Sequence, residues 1–298
     1  MTRMLVLTPS FGPDFDLCAD LNRSVLAYSS ADVRHQIIVP KSDLPVFRPL
    51  AGARTEIRTE AEFLPSSFVR APGVNATINL RRPFPPVRGW ILQQVLKLAA
   101  AAAADADVVL LVDSDIEFVR PFSVDTFVRD GVIRFYRLPD EVDHRLPRHV
   151  LWHKAARELL GLPAMSPPLP DYVSSLVAWD PAIVRQLLGR VEQVTGGRWA
   201  NMVASRVHFS EWTLYGVFVE HILGDTATRF SAETSLCHAL WDTVPLDEHT
   251  VGEFVAGMAD DDVAVMISAK TRTPLAIRRA ASAAMRSAVR NDATTPQE

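Results

Sequence analysis

The first forty residues change from a strand pattern to a helix pattern and back. The apolar segment "MLVLTPSF" is typical of a short buried strand that ends at Thr8-Pro9-Ser10. Apolar residues then recur at helical spacing from Phe15 to Leu26, and "RHQIIVP" predicts a second strand that ends at Pro40. Because a strand, a helix and a strand in this order favour a parallel βαβ unit, we predict an α/β fold with a mostly parallel central sheet.

The ends of these strands are candidate positions for a ligand. Ligands of open parallel sheets bind beyond the carboxyl ends of the strands, so the segments Thr8 to Phe11 and Pro40 to Asp43 are expected at the rim of a binding site. A further run, Val108 to Val112, is continuously apolar, as expected of a central parallel strand, and continues directly into Asp113-Ser114-Asp115. The rim is therefore expected to carry two carboxylates.

Asp113 and Asp115 have the chemistry of a site for a hard divalent cation. In extended backbone, side chains two residues apart point to the same side, where these like charges repel unless a cation stabilises them. Mg²⁺ and Mn²⁺ accept such an incomplete set of oxygen ligands and take water and substrate phosphates at the remaining positions. The alternative is a strand that simply ends in solvated aspartates.

A helix predicted to begin at Trp90 carries a polar stripe. In "GWILQQVLKL", Trp90, Gln93, Gln94 and Lys97 fall at positions i, i+3, i+4 and i+7 of a helix, whereas apolar residues fill most other positions. The stripe is either a solvated face or a set of donors toward a ligand. The Pro- and Arg-rich residues 63–88 before it are expected to be an ordered connection without regular structure.

The second half of the chain mixes short strands with helices, and no linker or internal repeat divides it from the first. We expect residues 1–287 to form one domain, with about 1–120 and 121–287 as its two halves and 288–298 as a flexible tail. The elements predicted in the second half are a strand at 131–138, helices at 147–161 and 181–195, a helix from Ser210 to Gly224, and strands in "SLCHALWD" and "DVAVMISAK".

The charge, the hydropathy and the cysteine content of the chain indicate which partners it binds and in which compartment it folds. The net charge of −4 and the pI near 6.1 give no general attraction to nucleic acid or anionic lipid. No window suits a membrane span, the N-terminal apolar run is too short for a signal peptide, and the two cysteines lie far apart. We therefore predict a cytoplasmic protein without a nucleic-acid partner. The Arg-rich "TPLAIRRAASAAMRSAVR" lacks a bulky apolar face, so membrane contact is not expected.

Three motifs in a fixed order give the chain a family resemblance. They are Trp-x-x-Gln-Gln-x-x-Lys from Trp90, Asp-Ser-Asp from Asp113 and Ser-Glu-x-x-x-Tyr-Gly from Ser210. The apolar strand that ends in Asp-x-Asp resembles the metal-binding motif of GT-A glycosyltransferases. Together the motifs are similar to a bacterial subgroup of these enzymes that is known chiefly as a domain of unknown function. The resemblance covers roughly residues 4–245.

The resemblance implies the fold, the donor and the metal. GT-A enzymes have a Rossmann-like α/β/α sandwich that binds a nucleoside diphosphate sugar. By this resemblance Asp115 ligates Mn²⁺ or Mg²⁺, Asp113 reaches the ribose or a metal-bound water, and His238 is a candidate third ligand. The residues expected to contact nucleotide, sugar or diphosphate are Thr8, Pro9, Ser10, Phe11, Trp90, Gln93, Gln94, Lys97, Asp113, Ser114, Lys270 and Arg272.

Transfer to a hydroxyl acceptor with inversion needs a general base. Glu211, one residue after a predicted helix cap, is the first candidate, and its alternative role is to stabilise the helix N-terminus. Asp171 and Tyr172 are second candidates for contact with the acceptor. Four tryptophans are either stacking surfaces for sugar rings or core residues: Trp152, Trp179, Trp212 and Trp241.

The resulting prediction is a hexosyltransferase that uses a UDP-sugar and a small hydroxyl-bearing metabolite or a glycan end, with inversion favoured because Glu211 supplies a base. Three alternatives stay open. A haloacid-dehalogenase-type phosphatase would carry Asp-x-Asp on its first strand, with Thr or Val where this chain has Glu117. A nucleotidyltransferase would make a nucleotide-linked product. A protein that binds a sugar nucleotide without catalysing its transfer would have the same fold but no enzymatic activity.

Overall fold

The computed structural model describes residues 2–70 and 77–292, which form layers of sheets and helices. The strands, numbered along the chain, are β1 (Met4–Pro9), β2 (Arg34–Val39), β3 (Thr55–Thr59), β4 (Phe68–Arg70), β5 (Thr77–Asn79), β6 (Arg82–Val87), β7 (Val108–Leu111), β8 (Ile116–Phe118), β9 (Val128–Arg129), β10 (Val132–Ile133), β11 (Phe135–Tyr136), β12 (Leu138–Val142), β13 (Leu169–Asp171), β14 (Val177–Trp179), β15 (Ser231–Ala232), β16 (Cys237–Leu240) and β17 (Ala264–Ile267). The helices are α1 (Phe15–Tyr28), α2 (Leu44–Phe47), α3 (Gly89–Ala103), α4 (Val124–Phe127), α5 (Pro147–Leu160), α6 (Pro181–Thr195), α7 (Trp199–Ala204), α8 (Glu211–Phe218), α9 (Asp225–Thr228), α10 (Val251–Ala256) and α11 (Leu275–Asp292).

The central sheet has five strands in the order β14-β7-β1-β2-β3. β1 pairs in parallel with β2 on one side and with β7 on the other, β3 is parallel to β2, and β14 at the edge is antiparallel to β7. The order β3-β2-β1-β7 is that of a Rossmann-like sheet, in which the chain first moves to one side of β1 and later to the other. The predicted α/β fold with a mostly parallel central sheet is confirmed, and it is consistent with a GT-A Rossmann-like sandwich.

The residues of β7 explain why helices cover both faces of this sheet. Val109 and Leu111 pack into an apolar cluster with α3, α6 and α8, whereas Val108 and Leu110 pack into a second cluster with α1. All four side chains are buried. Successive side chains of a strand point to opposite faces, so a strand that is covered on both sides needs a continuous apolar run.

A second, three-stranded sheet continues from the end of β7. Strand β8 begins at Ile116, directly after Asp113-Ser114-Asp115, and pairs antiparallel with β17, which pairs in parallel with β16. Met266 lies opposite Ile116 in this register, which brings the segment after β17 next to Asp115. The acidic pair is therefore held between the two sheets.

Helix α3 lies against the central sheet with part of its polar stripe inside the protein. The helix begins at Gly89, one residue before the predicted start, and its apolar residues are buried as predicted. Gln94 and Lys97 are buried as well, whereas Trp90 is exposed. The stripe is therefore neither a solvated face nor wholly a ligand surface.

The segment 63–88 contains strands that the sequence pattern did not predict. Strands β4, β5 and β6 form an antiparallel sheet, with Val69 opposite Ile78 and Asn79 opposite Arg82. Strands of three residues are too short for a periodic pattern, and the prolines of β6 are unusual in a strand. The expectation of a connection without regular structure is therefore wrong, and residues 71–76 of this segment lie outside the described residues.

The single strand predicted at 131–138 is divided into three. Asp130 and Gly131 have positive φ angles of 51° and 73° and close a tight hairpin between β9 and β10. Strands β11 and β12 then pair with β15 and β13, which follow much later in the chain. A local pattern does not reveal these changes of partner.

The helix predicted from Ser210 to Gly224 has two parts. Ser210 caps α8 as predicted, since its Oγ accepts a hydrogen bond from the Thr213 backbone N–H at 3.3 Å. The last turn, Val219–Leu223, is a π-helix, and it ends at Gly224, whose φ is 71°.

Helix α11 extends beyond the start of the predicted tail. It continues to Asp292, so residues 288–292 are helical, and residues 293–298 lie outside the described residues. Among the helices of the described ranges, none combines the length and the apolar character needed to cross a membrane.

Candidate active site

A cleft of about 630 Å³ opens at the carboxyl ends of β1 and β7. At this point the order of the strands reverses, and open parallel sheets bind their ligands at such a reversal. The walls come from residues 9–11 after β1, residues 113–115 after β7, the first two turns of α3 and the segment after β17. A second cleft of about 660 Å³ follows the edge strand β3 and contains none of the predicted site residues.

Ser10 and Ser114 join the ends of the two strands. Ser114 Oγ donates a hydrogen bond to Ser10 Oγ at 2.9 Å, and the Ser10 backbone N–H donates to Ile38 O at 2.9 Å. Both serines are buried. Their hydrogen bond holds the turn at 113–115 against the end of β1, so the acidic pair and the β1 rim form one wall.

Asp113 and Asp115 both line the cleft, although they lie on a turn and not in extended backbone. The Ile116 backbone N–H donates to Asp113 O at 3.3 Å and closes the turn. Asp115 Oδ2 accepts a hydrogen bond from the Ala269 backbone N–H at 2.7 Å. Burial and the neighbouring charge of Asp113 raise the pKa of Asp115 to about 6, although Ala269 and Arg278 act against the shift. A cation would relieve this repulsion.

The cleft wall is rich in carboxylates. Glu60 is paired with Arg70 at 3.5 Å, and Asp43 accepts a hydrogen bond from the Gly12 backbone N–H at 2.7 Å. Asp113 is paired in turn with Lys97, which lies behind the wall. The ionisable side chains that line the cleft are Asp14, Asp43, Glu60, Asp113 and Asp115 against Arg70 and Lys270.

The donors of the acidic pair suit a divalent cation that is bound together with phosphates. Within residues 2–70 and 77–292, no three His, Cys, Asp or Glu side chains are placed to hold an ion by themselves. Mg²⁺ commonly binds one or two carboxylates and takes its other ligands from water and substrate phosphates. Asp113 and Asp115 fit this ligand set without a third side chain.

His238 lies away from the acidic pair, which corrects its prediction as a metal ligand. Its Nε2 atom is 2.8 Å from Phe254 O, and its ring packs against the Phe254 ring with 4.4 Å between centroids. Leu240, two residues along β16, packs into the same apolar cluster as Phe254. Because alternate residues of a strand share a face, the register of β16 directs His238 toward α10 and not toward the cleft.

Lys97 connects Asp113 with Glu211 inside the protein. Its Nζ atom lies 2.8 Å from Asp113 Oδ1 and 3.3 Å from Glu211 Oε1, and it lies 3.8 Å from the centre of the Trp212 ring. Burial acts to lower the pKa of Lys97, but the two carboxylates outweigh it and raise the pKa. Lys97 is thus a buried cation that holds Asp113, and not a donor on the cleft wall.

Glu211 is buried behind Lys97, which corrects its prediction as a base in contact with the acceptor. The residue is 1% exposed, and its backbone N–H donates to Gln94 Oε1 at 3.0 Å. Burial raises the pKa of the Glu211 carboxyl to about 7, although Lys97 acts to lower it. In this position Glu211 orients Lys97 and, through it, Asp113.

Two further predicted nucleotide contacts lie in the core. Thr8 is fully buried, and its Oγ1 atom is 3.0 Å from His35 Nε2. Gln94 donates to Trp90 O at 3.2 Å and accepts from Glu211, so it braces α3 against α8. Neither side chain reaches the cleft, whereas Gln93 and Trp90 line it.

The two cations predicted after the last strand differ in position. Lys270 is exposed and lines the cleft, whereas Arg272 is exposed outside the lining and has a φ of 56°. The sequence did not single out Arg278, whose buried guanidinium donates to Ser268 O at 2.7 Å and to Thr273 O at 3.1 Å. Arg278 holds the segment that presents Lys270.

The predicted stacking tryptophans divide between the core and the cleft. Trp179 is fully buried, Trp152 is buried, and Trp212 is covered by the Lys97 ammonium. Trp241 is 61% exposed and lines the cleft, as does the exposed Phe11. Trp241 and Phe11 therefore offer flat apolar faces to a ligand.

Asp171 forms a pair with a histidine that the sequence did not single out. Asp171 Oδ2 is 3.0 Å from His149 Nδ1, and Asp171 Oδ1 accepts a hydrogen bond from the Val173 backbone N–H at 3.0 Å. The His149 ring packs 4.2 Å from Trp152, which packs 5.6 Å from Trp90 at the cleft. The pair thus stands beside the end of α3 that reaches the cleft.

Tyr172 has a structural position, which corrects its prediction as an acceptor contact. The side chain is buried, and its hydroxyl donates to Glu220 Oε2 at 2.9 Å. Its ring lies so close to Gly216 that a Cβ atom there would be 2.2 Å from it. The Gly of the Ser-Glu-x-x-x-Tyr-Gly motif is therefore required by packing.

A family model described as a family of unknown function (DUF6492) matches residues 11–251, so the chain belongs to this family. No curated protein gives a significant match. Among solved structures, the crystal structure of the apo form of mouse xyloside xylosyltransferase 1 is 12% identical, with a TM-score of 0.46 over 92% of this chain and 99% of that chain.

Proposed function

We propose that this member of DUF6492 is a metal-dependent glycosyltransferase that moves a sugar from a nucleoside diphosphate sugar to a hydroxyl group. The observation that carries the proposal is the position of Asp113 and Asp115 at the strand reversal of a Rossmann-like sheet, joined to the β1 rim by the Ser10–Ser114 hydrogen bond. The cleft at this point, about 630 Å³, has the size of a small-molecule site.

The charge of the cleft supports a metal between the protein and a diphosphate. The wall carries five carboxylates against two cations, and the buried cations Lys97 and Arg278 behind it still leave an excess of negative charge, which disfavours an anionic diphosphate without a counterion. A bound Mn²⁺ or Mg²⁺ would neutralise charge on the departing diphosphate. Asp113 and Asp115 would hold the ion, with Asp113 oriented by Lys97 and Asp115 oriented by the Ala269 backbone N–H.

The rest of the donor would lie along the neighbouring walls. Phe11 and Trp241 offer exposed aromatic faces on which a base or a sugar ring can stack. Lys270 offers positive charge to a phosphate, and Gln93 offers an amide to a sugar hydroxyl. UDP-hexoses are the first donors to test, because UDP with a hexose is the commonest donor of the enzymes that the motifs resemble.

The base for the acceptor hydroxyl is proposed at His149 and not at the buried Glu211. The Asp171 carboxylate lies 3.0 Å from His149 Nδ1, so it would stabilise the imidazolium that forms when His149 takes a proton. Trp90, next to this cluster, precedes Lys97 by seven residues, which is about 10 Å along α3. His149 itself does not line the cleft, and it reaches Trp90 on the cleft wall through the ring of Trp152, so the proposed base lies at the Trp90 end of the cleft. Direct attack by a hydroxyl activated in this way inverts the anomeric carbon.

Nucleotide binding by the purified protein tests the proposal. We would measure the melting temperature with UDP, GDP, ADP and their hexose derivatives, each with and without Mn²⁺. The expected result is a rise for at least one nucleotide only when Mn²⁺ is present, because ligand binding to the folded state stabilises it.

Two aspartate variants make this test specific. Asp115→Asn should abolish the Mn²⁺-dependent rise. Asp105→Asn removes a carboxylate that is paired with Arg3 outside the cleft lining, and it should keep the rise. A nucleotide-induced rise that needs no metal, or one that persists in Asp115→Asn, would contradict the proposal.

A further inference from the structure

The small sheet of β4, β5 and β6 presents an exposed surface that is both apolar and basic. We name it the β4–β6 surface and define it by Val69, Leu80, Arg81, Arg82 and Phe84. Phe84 is 87% exposed, the highest value for a large apolar side chain in the described ranges, and Leu80 is 63% exposed. Large apolar side chains that cluster on a surface mark a site of interaction.

The strand pairing explains why these apolar side chains point outward. Val69 lies opposite Ile78, so these two share one face of the sheet, and Leu80 projects from the turn between β5 and β6. The other face carries the buried Thr77 and Asn79 toward the protein. The register between β5 and β6 is irregular, and the longer β6 carries Phe84 out of the regular pairing.

The segment that forms this sheet carries charged side chains of one sign. The sequence has no Asp or Glu between Glu62 and Asp105, whereas it has four arginines there, at 70, 81, 82 and 88. Arg70 is paired with Glu60, but Arg81, Arg82 and Arg88 are exposed on the sheet or next to it. This concentration of positive charge lies in a chain whose net charge is −4, so it is a local feature.

We propose that the β4–β6 surface docks on an anionic membrane. Exposed Phe and Leu side chains partition into the interface of a bilayer, and neighbouring arginines are attracted to anionic headgroups. A nucleic-acid partner would account for the arginines but not for the projecting Leu80 and Phe84. The inference does not depend on the proposed glycosyl transfer.

Three arginines of the Arg-rich helix α11 have partners inside the protein. Arg278 is buried, Arg279 is paired with Asp20 at 2.7 Å, and Arg286 is paired with Glu117 at 3.1 Å. The sheet that carries this surface also adjoins the cleft, because Arg70 and Thr77 line the cleft. A docked protein would therefore hold its cleft beside the membrane, within reach of an acceptor that a lipid carries.

Sedimentation with vesicles tests the proposal on the full chain without nucleotide or metal. The protein should pellet with vesicles of phosphatidylcholine and phosphatidylglycerol and stay in solution with phosphatidylcholine alone. Because exposed charges are screened by salt, raising the ionic strength should weaken the binding. A parallel run without vesicles measures any pelleting through self-association.

Two double variants separate the charge from the apolar anchor. Arg81→Gln/Arg82→Gln should weaken vesicle binding roughly 30-fold, given the usual gain from each arginine near an anionic surface. Leu80→Ser/Phe84→Ser should weaken it roughly tenfold or more. The matched controls are Arg34→Gln/Arg48→Gln, two exposed arginines beside the second cleft, and Val244→Ser, an exposed apolar residue.

The vesicle-binding results either support or overturn membrane docking by the β4–β6 surface. Selective loss of binding in the two β4–β6 variants, with both controls unchanged, supports it. No binding to the anionic vesicles, equal binding to phosphatidylcholine, equal weakening in the controls, or pelleting without vesicles overturns it. A cooperative thermal unfolding transition in each variant, within a few degrees of that of the unaltered protein and measured without nucleotide, shows that the variants are folded and leaves the two proposals separately testable.

Discussion

Lys97 and Asp113 form an ion pair of 2.8 Å in which the lysine side chain is 3% exposed and the aspartate side chain is 44% exposed. One member belongs to the core and the other to the cleft, so helix α3 fixes the position of a carboxylate that would hold the metal. Glu211, on the other side of Lys97, shares the same cation at 3.3 Å.

The first prediction concerns this shared cation. Lys97→Met leaves the Glu211 carboxylate buried without its partner, and removing one member of a buried ion pair commonly costs about 3 kcal/mol or more. We expect the free energy of unfolding, measured with urea, to fall by about 3 kcal/mol. Lys97→Met/Glu211→Gln should recover part of the loss, because the uncompensated charge is gone.

The exposed Lys154 of α5 provides the control for this measurement. Lys154→Met should change the free energy of unfolding by no more than about 0.5 kcal/mol. Equal losses in Lys97→Met and Lys154→Met would show that Lys97 does not stabilise the core.

The second prediction separates Lys270 from Arg272. Lys270 lines the cleft and Arg272 does not, so Lys270→Gln should weaken binding of a nucleoside diphosphate with Mn²⁺, whereas Arg272→Gln should not. An exposed charge pair contributes up to about 1 kcal/mol, which corresponds to a roughly fivefold change in Kd. Isothermal titration calorimetry measures both variants, and the reverse order of effects would refute the assignment.

The third prediction concerns the base. His149→Gln should lower kcat of sugar transfer roughly 100-fold, the scale of general base catalysis, and leave the Kd of the donor unchanged. Asp171→Asn should lower kcat as well, because it removes the negative charge 3.0 Å from His149 Nδ1 that would stabilise the protonated imidazole. His144→Gln changes a histidine that is exposed in the same region and should have no effect. A weaker donor affinity in His149→Gln with an unchanged kcat would argue against a base.

The fourth prediction concerns pH and stability. Burial lowers the pKa of His35 to about 3, well below its ordinary value, so the folded protein keeps this imidazole neutral while the unfolded chain binds a proton. The unfolded state then holds more protons, and stability falls as the pH drops from about 6 to about 4, by about 1.4 kcal/mol per pH unit from this group.

Denaturant titrations of a histidine variant over this pH range measure the effect. His35→Gln should flatten the dependence, although it also changes the hydrogen bonds to Thr8 and Asn22. His208→Gln, at an exposed position, should keep the slope. If the free energy of unfolding of His35→Gln depended on pH as strongly as that of the unaltered protein, another group would be responsible for the dependence.

Long periodic segments made most of the fold predictable. The strand at the N-terminus, the helices α5 and α6 and the apolar run of β7 lie within a few residues of their predicted bounds. These elements bury whole faces, so their sequences carry a repeated signal. The sheet of β4, β5 and β6 carried no such signal, because its strands are short and its outward face is itself apolar.

The candidate site was predictable where residues follow a strand and much less so where a helix presents them. Residues 113–115 and 9–11 reach the cleft because the carboxyl ends of β1 and β7 meet there. Lys97 and Glu211 could not be placed, because the spacing along a helix does not tell which neighbour covers each face. His149 and Arg278 gained their roles only through partners distant in the chain, Asp171 and the segment after β17.

Product analysis with nucleoside diphosphate sugars tests most directly whether the protein is a metal-dependent glycosyltransferase. The purified protein, a panel of UDP-, GDP- and ADP-hexoses and Mn²⁺ would be incubated, and the nucleotides separated by chromatography. We expect one donor to yield free nucleoside diphosphate, and we expect chelation of the metal or Asp115→Asn to abolish its release. Release of a nucleoside monophosphate or of inorganic phosphate, or undiminished turnover in Asp115→Asn, would contradict this function.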